Sequence, residues 1–233
     1  MITIQDILND EIILSNYAKI DAQNTYPFNH GLKHVKNVAS IMQKLINSLN
    51  INENEANNLL ITAILHDIGQ VEGRINHGLK GRKFAEGYLK DKLKEDDLEK
   101  VLAAIEFHDQ KVNQIDLPLF TNLVCFSDKM DFTSNRLEEN YQEKFCYIAY
   151  ENVEEVNFEI KDNYFILKIN TDGKITAEDL LSEKIFFFKV ITAVATLAKK
   201  LELQFKIYVD SQKLTNEQIE EAFNDAKKSV EKD

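Results

Sequence analysis

The side chains able to do chemistry in this chain are five histidines and a few carboxylates, and their placement is uneven. His30, His34, His66, His77 and His108 all precede position 109, and none follows. His34 stands in "HGLKHVKNV", on the apolar side of its predicted helix beside Val35 and Val38. His66 and Asp67 close the apolar run of "ILHDIGQ", His77 opens "HGLKGRKFAEGYL", His108 ends "VLAAIEFH", and Asp128 follows "NLVCFS". Most of these places are of one kind, a ligand-type side chain at the junction of an apolar helix. Burying such a group without compensation is costly. Neutral imidazole and ionised carboxylate are also the ordinary ligands of Zn, Fe, Mn and Ni. A lone buried histidine is usually a hydrogen-bonded core residue, and an HD dipeptide arises often by chance. The set of His34, His66–Asp67 and Asp128, spaced on separate helices, predicts a shared metal centre instead. Adjacent His and Asp reach one centre only where a helix ends, and Gly69 is expected to give the backbone the freedom to turn there.

The elements that must position these groups follow from periodicity. Residues 4 to 20 show amphipathic apolar spacing, and 31 to 49 repeat it with Leu32, Val35, Val38, Ile41, Met42 and Leu45 on one face. Asn52 with Glu55 reads as a capping box before the run to His66. Further helices are expected over 78–93, from Asp96 to about His108, and from about 128 to 147 after a segment at 119–127. The pattern then changes. "VEEVNFEIKDNYFILKINTDGKI" alternates apolar and polar residues around "KDN", as a hairpin does. Thr176 with Asp179 caps a long apolar helix, "QFKIYVD" is a third strand, and Thr215 with Gln218 caps a last acidic helix. The expected fold is mainly α: a helical domain over 1–147 and a small ββαβα unit over 148–233 that packs on it or dimerises.

With "HVKNV", "ILHDIG" and "SDKMD" in that order, the chain resembles the HD-domain superfamily of metal-dependent phosphohydrolases over roughly residues 25 to 140. The resemblance implies an orthogonal helical bundle that holds a first metal through His34, His66, Asp67 and Asp128. "INHGLKG" and "AAIEFHD" place His77 and His108 as in the dinuclear branch, where Asp67 would bridge two ions. Several dinuclear members carry two consecutive histidines where this chain has His108–Asp109, so Asp109 is a further candidate oxygen ligand. The cofactor implied is one or two divalent transition-metal ions (Fe, Mn, Zn, Ni or Co, with Mg admissible). The "GYP" signature of cyclic-dinucleotide phosphodiesterases is absent, and "IGQV" stands where guanosine tetraphosphate hydrolases have an acidic pair. The implied activity is hydrolysis of a small phosphoester, nucleotides included, by a metal-activated water. Asp67, Lys129 and His30 are the candidate catalytic residues. Lys129 occupies a position where the family often has a lysine, and it joins Arg74, Lys80, Arg82, Lys83 and Arg136 as candidates for the phosphate oxygens. Two alternatives remain open at this stage: a di-iron oxygenase on the same ligand set, and a metal-stabilised regulatory module without turnover.

Composition narrows the substrate. Of 233 residues, 28 are Lys or Arg and 39 are Asp or Glu, a formal charge of −11. Such a surface repels a nucleic-acid polymer, so an anionic substrate needs a local reversal of sign, which bound cations supply. Seven glycines and two prolines are few, in keeping with helices. No apolar stretch approaches the roughly 20 residues that cross a bilayer, and "MITIQDILNDEIILSN" lacks the basic start of a signal peptide. Cys125 and Cys146 form no CxxC motif and are expected to be reduced thiols in a cytoplasmic protein. His30, four residues before His34, is expected on the same helix face, touching substrate or orienting a ligand. Glu72 and Glu106 are candidate acids for the leaving group, Cys125 is expected to pack, and "FFFK" at 186–189 reads as a core or interface face.

Overall fold

The computed structural model describes residues 2–25, 27–109, 116–138, 148–183 and 186–230, with the side chains of 187, 188 and 224–230 left aside. The chain divides into two compact units, Met1–Asp131 and Phe132–Asp233.

In the first unit the described elements are helical. Helix α1 (Ile4–Leu8) is closed by a Thr3–Asp6 capping box, and α2 (Glu11–Gln23) starts afresh because the Asp10 carboxylate accepts from Ile12 N at 2.8 Å. The apolar spacing over 4–20 is therefore shared by two helices. A capping acid at the junction is what separates them. Next come α3 (Leu32–Leu49), α4 (Glu53–Leu65), a 3-10 turn (Ile68–Glu72), α5 (His77–Leu89), α6 (Glu95–Phe107) and α7 (Leu119–Lys129). Helix α3 is one-sided, burying His34, Val35, Val38, Ala39, Met42, Leu45 and Ile46. The second half of α4 and nearly all of α7 are buried around their circumference. They form the interior, with α3 and α6 packed against both and α5 laid over α6 and the 3-10 turn. Asn52 caps α4 by accepting from Glu55 N at 3.1 Å.

A helix running on from 128 is not found. Helix α7 ends at Lys129, and only a 3-10 turn at Ser134–Arg136 follows before residue 138; residues 139–147 of that expectation, Cys146 included, lie outside the described residues.

The second unit contains α8 (Ile148–Asn152), β1 (Val153–Lys161), β2 (Tyr164–Thr171), α9 (Ala177–Ser182), α10 (Thr192–Lys200), β3 (Gln204–Val209), β4 (Gln212–Lys213) and α11 (Asn216–Val230). Strand order is β1-β2-β3-β4. Strands β1 and β2 form an antiparallel hairpin whose turn residues Asp162 and Asn163 have φ of 50° and 64°, the signature of a tight primed turn. Strands β2 and β3 are parallel, which requires a crossover, supplied by α9 and α10. Alternate residues Phe165, Leu167 and Ile169 of β2, with Ile207 and Val209 of β3, are buried, and α10 packs against both strands. The long apolar helix expected over this stretch is interrupted. Helix α9 stops at Ser182, whose hydroxyl bonds the Asp179 carbonyl at 2.7 Å, and a wider π-helical turn, Phe186–Ile191, precedes α10. A serine that engages its own helix's carbonyl competes with the helix, and local polarity here outweighs apolar periodicity. Among the described residues no helix is long and apolar enough to cross a membrane.

Candidate metal centre

The interior helix α4 ends at its most polar point. His66 is its C-cap and still helical (φ −57°, ψ −37°), while Asp67 has turned out of the helix (φ −98°, ψ 2°). That change lets two adjacent side chains face one point. The turn owes nothing to an unusual backbone at Gly69. What Gly69 provides is proximity: a Cβ there would stand 2.1 Å from the His77 carbonyl oxygen and 2.3 Å from Gly81 N. Gly78 does the same on the other side, where a Cβ would lie 2.4 Å from the Glu106 carbonyl oxygen. These two glycines let α5 close on the 3-10 turn and on α6, which brings His77 to His108.

Six side chains from α3, α4 and its end, α5, α6 and α7 converge. One oxygen of Asp67, Oδ2, lies 3.6 Å from His34 Nε2 and 3.5 Å from His66 Nε2. Asp128 Oδ1 joins that side at 3.2 Å from His34 Nε2 and 3.8 Å from His66 Nε2. The other oxygen, Asp67 Oδ1, lies 3.3 Å from His77 Nε2 and 3.5 Å from His108 Nε2, and those two nitrogens are 3.1 Å apart. Two donor groups of metal-binding type are thereby formed, His34–His66–Asp128 and His66–Asp67–His108, with every member buried. Asp67 turns one oxygen to each side.

The far edges of the rings decide what the near edges are. His66 Nδ1 meets the Ala63 carbonyl at 2.9 Å, His77 Nδ1 that of Arg74 at 3.0 Å, and His108 Nδ1 that of Ile105 at 2.7 Å. His34 Nδ1 meets Asp131 Oδ2 at 2.6 Å. A carbonyl or carboxylate only accepts, so each Nδ1 carries the proton and each neutral ring presents a bare Nε2 lone pair inward. Lone pairs facing lone pairs and carboxylates repel unless a cation or proton stands among them. His66 Nε2 is fully buried with no hydrogen-bond partner. Two donors about 2.1 Å from a shared ion are about 3.0–3.4 Å apart, close to the spacings found here. The donor set therefore suits divalent metal.

Electrostatics point the same way. Burial raises the Asp67 carboxyl, but the imidazoles of His66, His108 and His77 around it outweigh burial and hold the group well below the usual carboxylate range. Asp128 is likewise raised by burial and more strongly lowered by Lys129 and His34. Burial pushes His66 below its ordinary value and so keeps it neutral. His77 is pushed down by burial and up, on balance, by Asp67. Lys129 Nζ donates to Asp128 Oδ2 and lies 3.3 Å from Asp109 Oδ1.

Residues 31–133 match the family model described as HD domain. This stretch is an HD domain. No curated protein matches the chain.

The HD domain brings His34, His66, Asp67, His77, His108 and Asp128 together and holds Lys129 at their edge. The other sequence candidates are placed elsewhere. His30 is not on the α3 face: it precedes the helix, half-buried, with its ring centre 5.9 Å from that of His34 and Nδ1 3.0 Å from the Phe28 carbonyl. Gly31 caps α3, so the i to i+4 relation with His34 does not apply. Lys80 donates to the Glu72 and Gly73 carbonyls at 2.6 and 3.2 Å, closing the 3-10 turn. Arg82 is shared between Glu99 and Glu106 at 2.9 and 3.2 Å, which also occupies one of the two candidate acids. Arg74, Lys83 and Glu72 are exposed, and Arg74 contributes its carbonyl to His77. Asp109 faces Lys129 and belongs to neither donor group. Arg136 is buried within the second unit. Cys125 packs, its thiol 3.9 Å from the Phe107 carbonyl and pushed up to about 12 by burial.

Three supporting residues escaped the sequence reading. Asp131 backs His34, Asn37 donates to Asp131 Oδ1 at 3.2 Å, and the buried Tyr17 hydroxyl donates to the Ile64 carbonyl. Tyr17 lies in α2, before the matched stretch, and satisfies a carbonyl in the last turn of α4, where His66 and Asp67 begin. The signal for Asp131 was the second acid of "SDKMD", one turn after Asp128 at the end of an apolar helix. Tyr17 carried no such mark.

Proposed function

We propose that this protein is a metal-dependent phosphohydrolase that cleaves a small phosphoester. The observation that carries the reading is Asp67: a single buried carboxylate with each oxygen facing its own pair of imidazole Nε2 atoms. His34, His66, Asp128 and Asp67 Oδ2 would hold one divalent ion, and His77, His108 and Asp67 Oδ1 a second. The chemistry such ions supply when bound is a water acidified toward a pKa of about 7 and positive charge for the phosphate oxygens.

The chain's own part is positioning. The Nδ1 bonds lock four rings so that their lone pairs already point where they are needed, and little reorganisation is required. Asp67, shared between the two groups, sets their separation. Lys129 neutralises the outer oxygen of Asp128 and leaves the inner one for the ligand set. Apolar walls from α4 and α7 keep bulk water away from the charges. Phosphate would be attracted to this point despite the net acidic surface, because bound ions would reverse the local sign.

The test is metal analysis of purified protein, followed by a phosphoester panel (aryl phosphates, aryl phosphodiesters and nucleotides) with Mn²⁺ and with chelator. Release of phosphate that requires metal and disappears in Asp67→Asn is the expected result. Full activity in Asp67→Asn, or oxygen consumption by iron-loaded protein without phosphate release, overturns the proposal.

A further inference from the structure

We infer that the two sides of the cluster divided by the Asp67 oxygens, His34–His66–Asp128 and His77–His108, are unequal in cation affinity, and that Asp131 sets the difference by positioning His34. This rests on reading the cluster as a metal centre. Among the four inward-facing imidazoles, three have Nδ1 bonded to a neutral backbone carbonyl, at 2.9, 3.0 and 2.7 Å. His34 alone is bonded to a carboxylate, at 2.6 Å, in a pair whose side chains are 0% and 4% exposed. A charged acceptor draws the Nδ1 proton more strongly than an amide does and makes the opposite nitrogen a better donor to a cation.

Asp131 is itself held in place. Asn37, one turn after His34 on α3, donates to its second oxygen at 3.2 Å, and Asp131 N donates to the Asp128 carbonyl at 3.3 Å. The end of α7 therefore delivers two carboxylates to one imidazole, Asp128 at Nε2 and Asp131 at Nδ1. Charge follows the same division. The His34 side collects Asp67 Oδ2, Asp128 and, behind the ring, Asp131, while the His77–His108 side has Asp67 Oδ1 and, at longer range, the exposed Asp109 that Lys129 partly neutralises. Lys129 offsets part of the Asp128 charge, which leaves more of the contrast to Asp131. The first cation goes to the His34 side, and the second binds more weakly.

The experiment is a stepwise Co²⁺ titration of metal-free full-length protein, read by visible absorption and by calorimetry. Wild type is expected to fill in two unequal steps. Asp131→Asn weakens the first step by about 10–100-fold and leaves the second in place. His77→Ala removes the second step and keeps the first. Asp131→Glu, which retains the carboxylate, recovers part of the loss, an outcome that a merely space-filling role does not produce. Asn37→Ala gives a smaller loss in the same first step, and it decides the matter if far-UV dichroism shows Asp131→Asn unfolded. Two equal steps in wild type, a first step that none of these variants moves, or equal weakening of both steps overturns the inference. Unequal Co²⁺ steps that respond to Asp131, in a protein that releases no phosphate with Mn²⁺, overturn the proposed activity and leave this inference standing. Metal-dependent phosphate release with an Asp131→Asn titration identical to wild type does the reverse. Protein that takes up no cation overturns both.

Discussion

The two units bury different things. In the first, the described interior contains His34, His66, His77, His108, Asp67, Asp128 and Asp131; in the second, the buried polar residues are Arg136, Thr171 and Thr196 against a core of Phe165, Leu167, Ile169, Val194, Leu197, Ile207 and Val209. Thr171 is satisfied locally by Asp210, which accepts from its backbone N and from its hydroxyl. Arg136 apart, the second unit has the core expected of one assembled for stability alone, because each ionisable group brought inside costs several kcal/mol unless its charge is answered. The first unit tolerates seven such groups because they answer one another in part and suit a divalent cation for the rest. The contrast teaches where to look for chemistry: in the unit whose interior would be poor as a mere scaffold.

The sharpest way to break the comparison is at the shared carboxylate. Asp67→Asn keeps the shape and removes the charge, and phosphoester turnover is expected to fall by about 10³-fold or more, as loss of several kcal/mol of charge stabilisation implies. Metal content should fall with it, so a variant that retains both places the chemistry elsewhere. In the second unit the matching experiment is Phe165→Ala, expected to cost about 3–5 kcal/mol in denaturant melts while metal stoichiometry of the folded protein is unchanged. Loss of metal in that variant would erase the distinction between a chemical unit and a scaffold.

Gly69→Ala tests the packing that joins α5 to the end of α4. The added Cβ meets three backbone atoms, none of which can swing aside, so a loss of about 1–3 kcal/mol is expected, together with weaker filling of the His77 side in metal titrations. Unchanged stability and uptake would show that this close approach is not needed. The smallest effect belongs to a carboxylate outside the interior. Tyr88 donates to Asp10 at 2.7 Å, and this bond lowers the Asp10 carboxyl below its ordinary value. A depressed carboxyl contributes stability above its unfolded value of about 3.9 and loses it as pH falls through the lower folded value. Tyr88→Phe should therefore cost about 0.5 kcal/mol or less at neutral pH, since water screens the pair, and nothing in strong acid. An equal difference between the two melts at pH 2 and pH 7 would contradict the assignment.

Much of this was legible in the residues. The caps at Asn52, Thr176 and Thr215 begin helices where the sequence placed them, because capping depends on side chains three residues apart. The hairpin at "KDN" is equally local, set by a period of two and by two turn residues that accept positive φ. Most of the six ligand-type side chains were marked by polarity at the ends of apolar runs, and His34 by its place on the apolar side of its helix. The misreadings share a cause. Residues 4–20 and the stretch from 177 to 200 have continuous apolar spacing, yet Asp10 starts a new helix and Ser182 stands at the end of one, each by engaging the backbone, and periodicity does not register such bonds. His30 was placed on a face that the Gly31 cap withdraws from it. Arg82 and Lys80 were read as candidates for the phosphate oxygens, but their partners, Glu99, Glu106 and two carbonyls, are brought to them only by packing.

By itself, then, the order of residues determined which atoms are available for chelation and which helices end in them, since both depend on neighbours within a few positions. Tertiary structure decided how those atoms are shared: that Asp67 faces His34 on one side and His77 and His108 on the other, and that His34 leans on Asp131. Those are distances between residues far apart in the chain (His34 and Asp131 are separated by 97 positions). They are set by how closely α5, α6 and α7 pack around the end of α4, which no local pattern encodes.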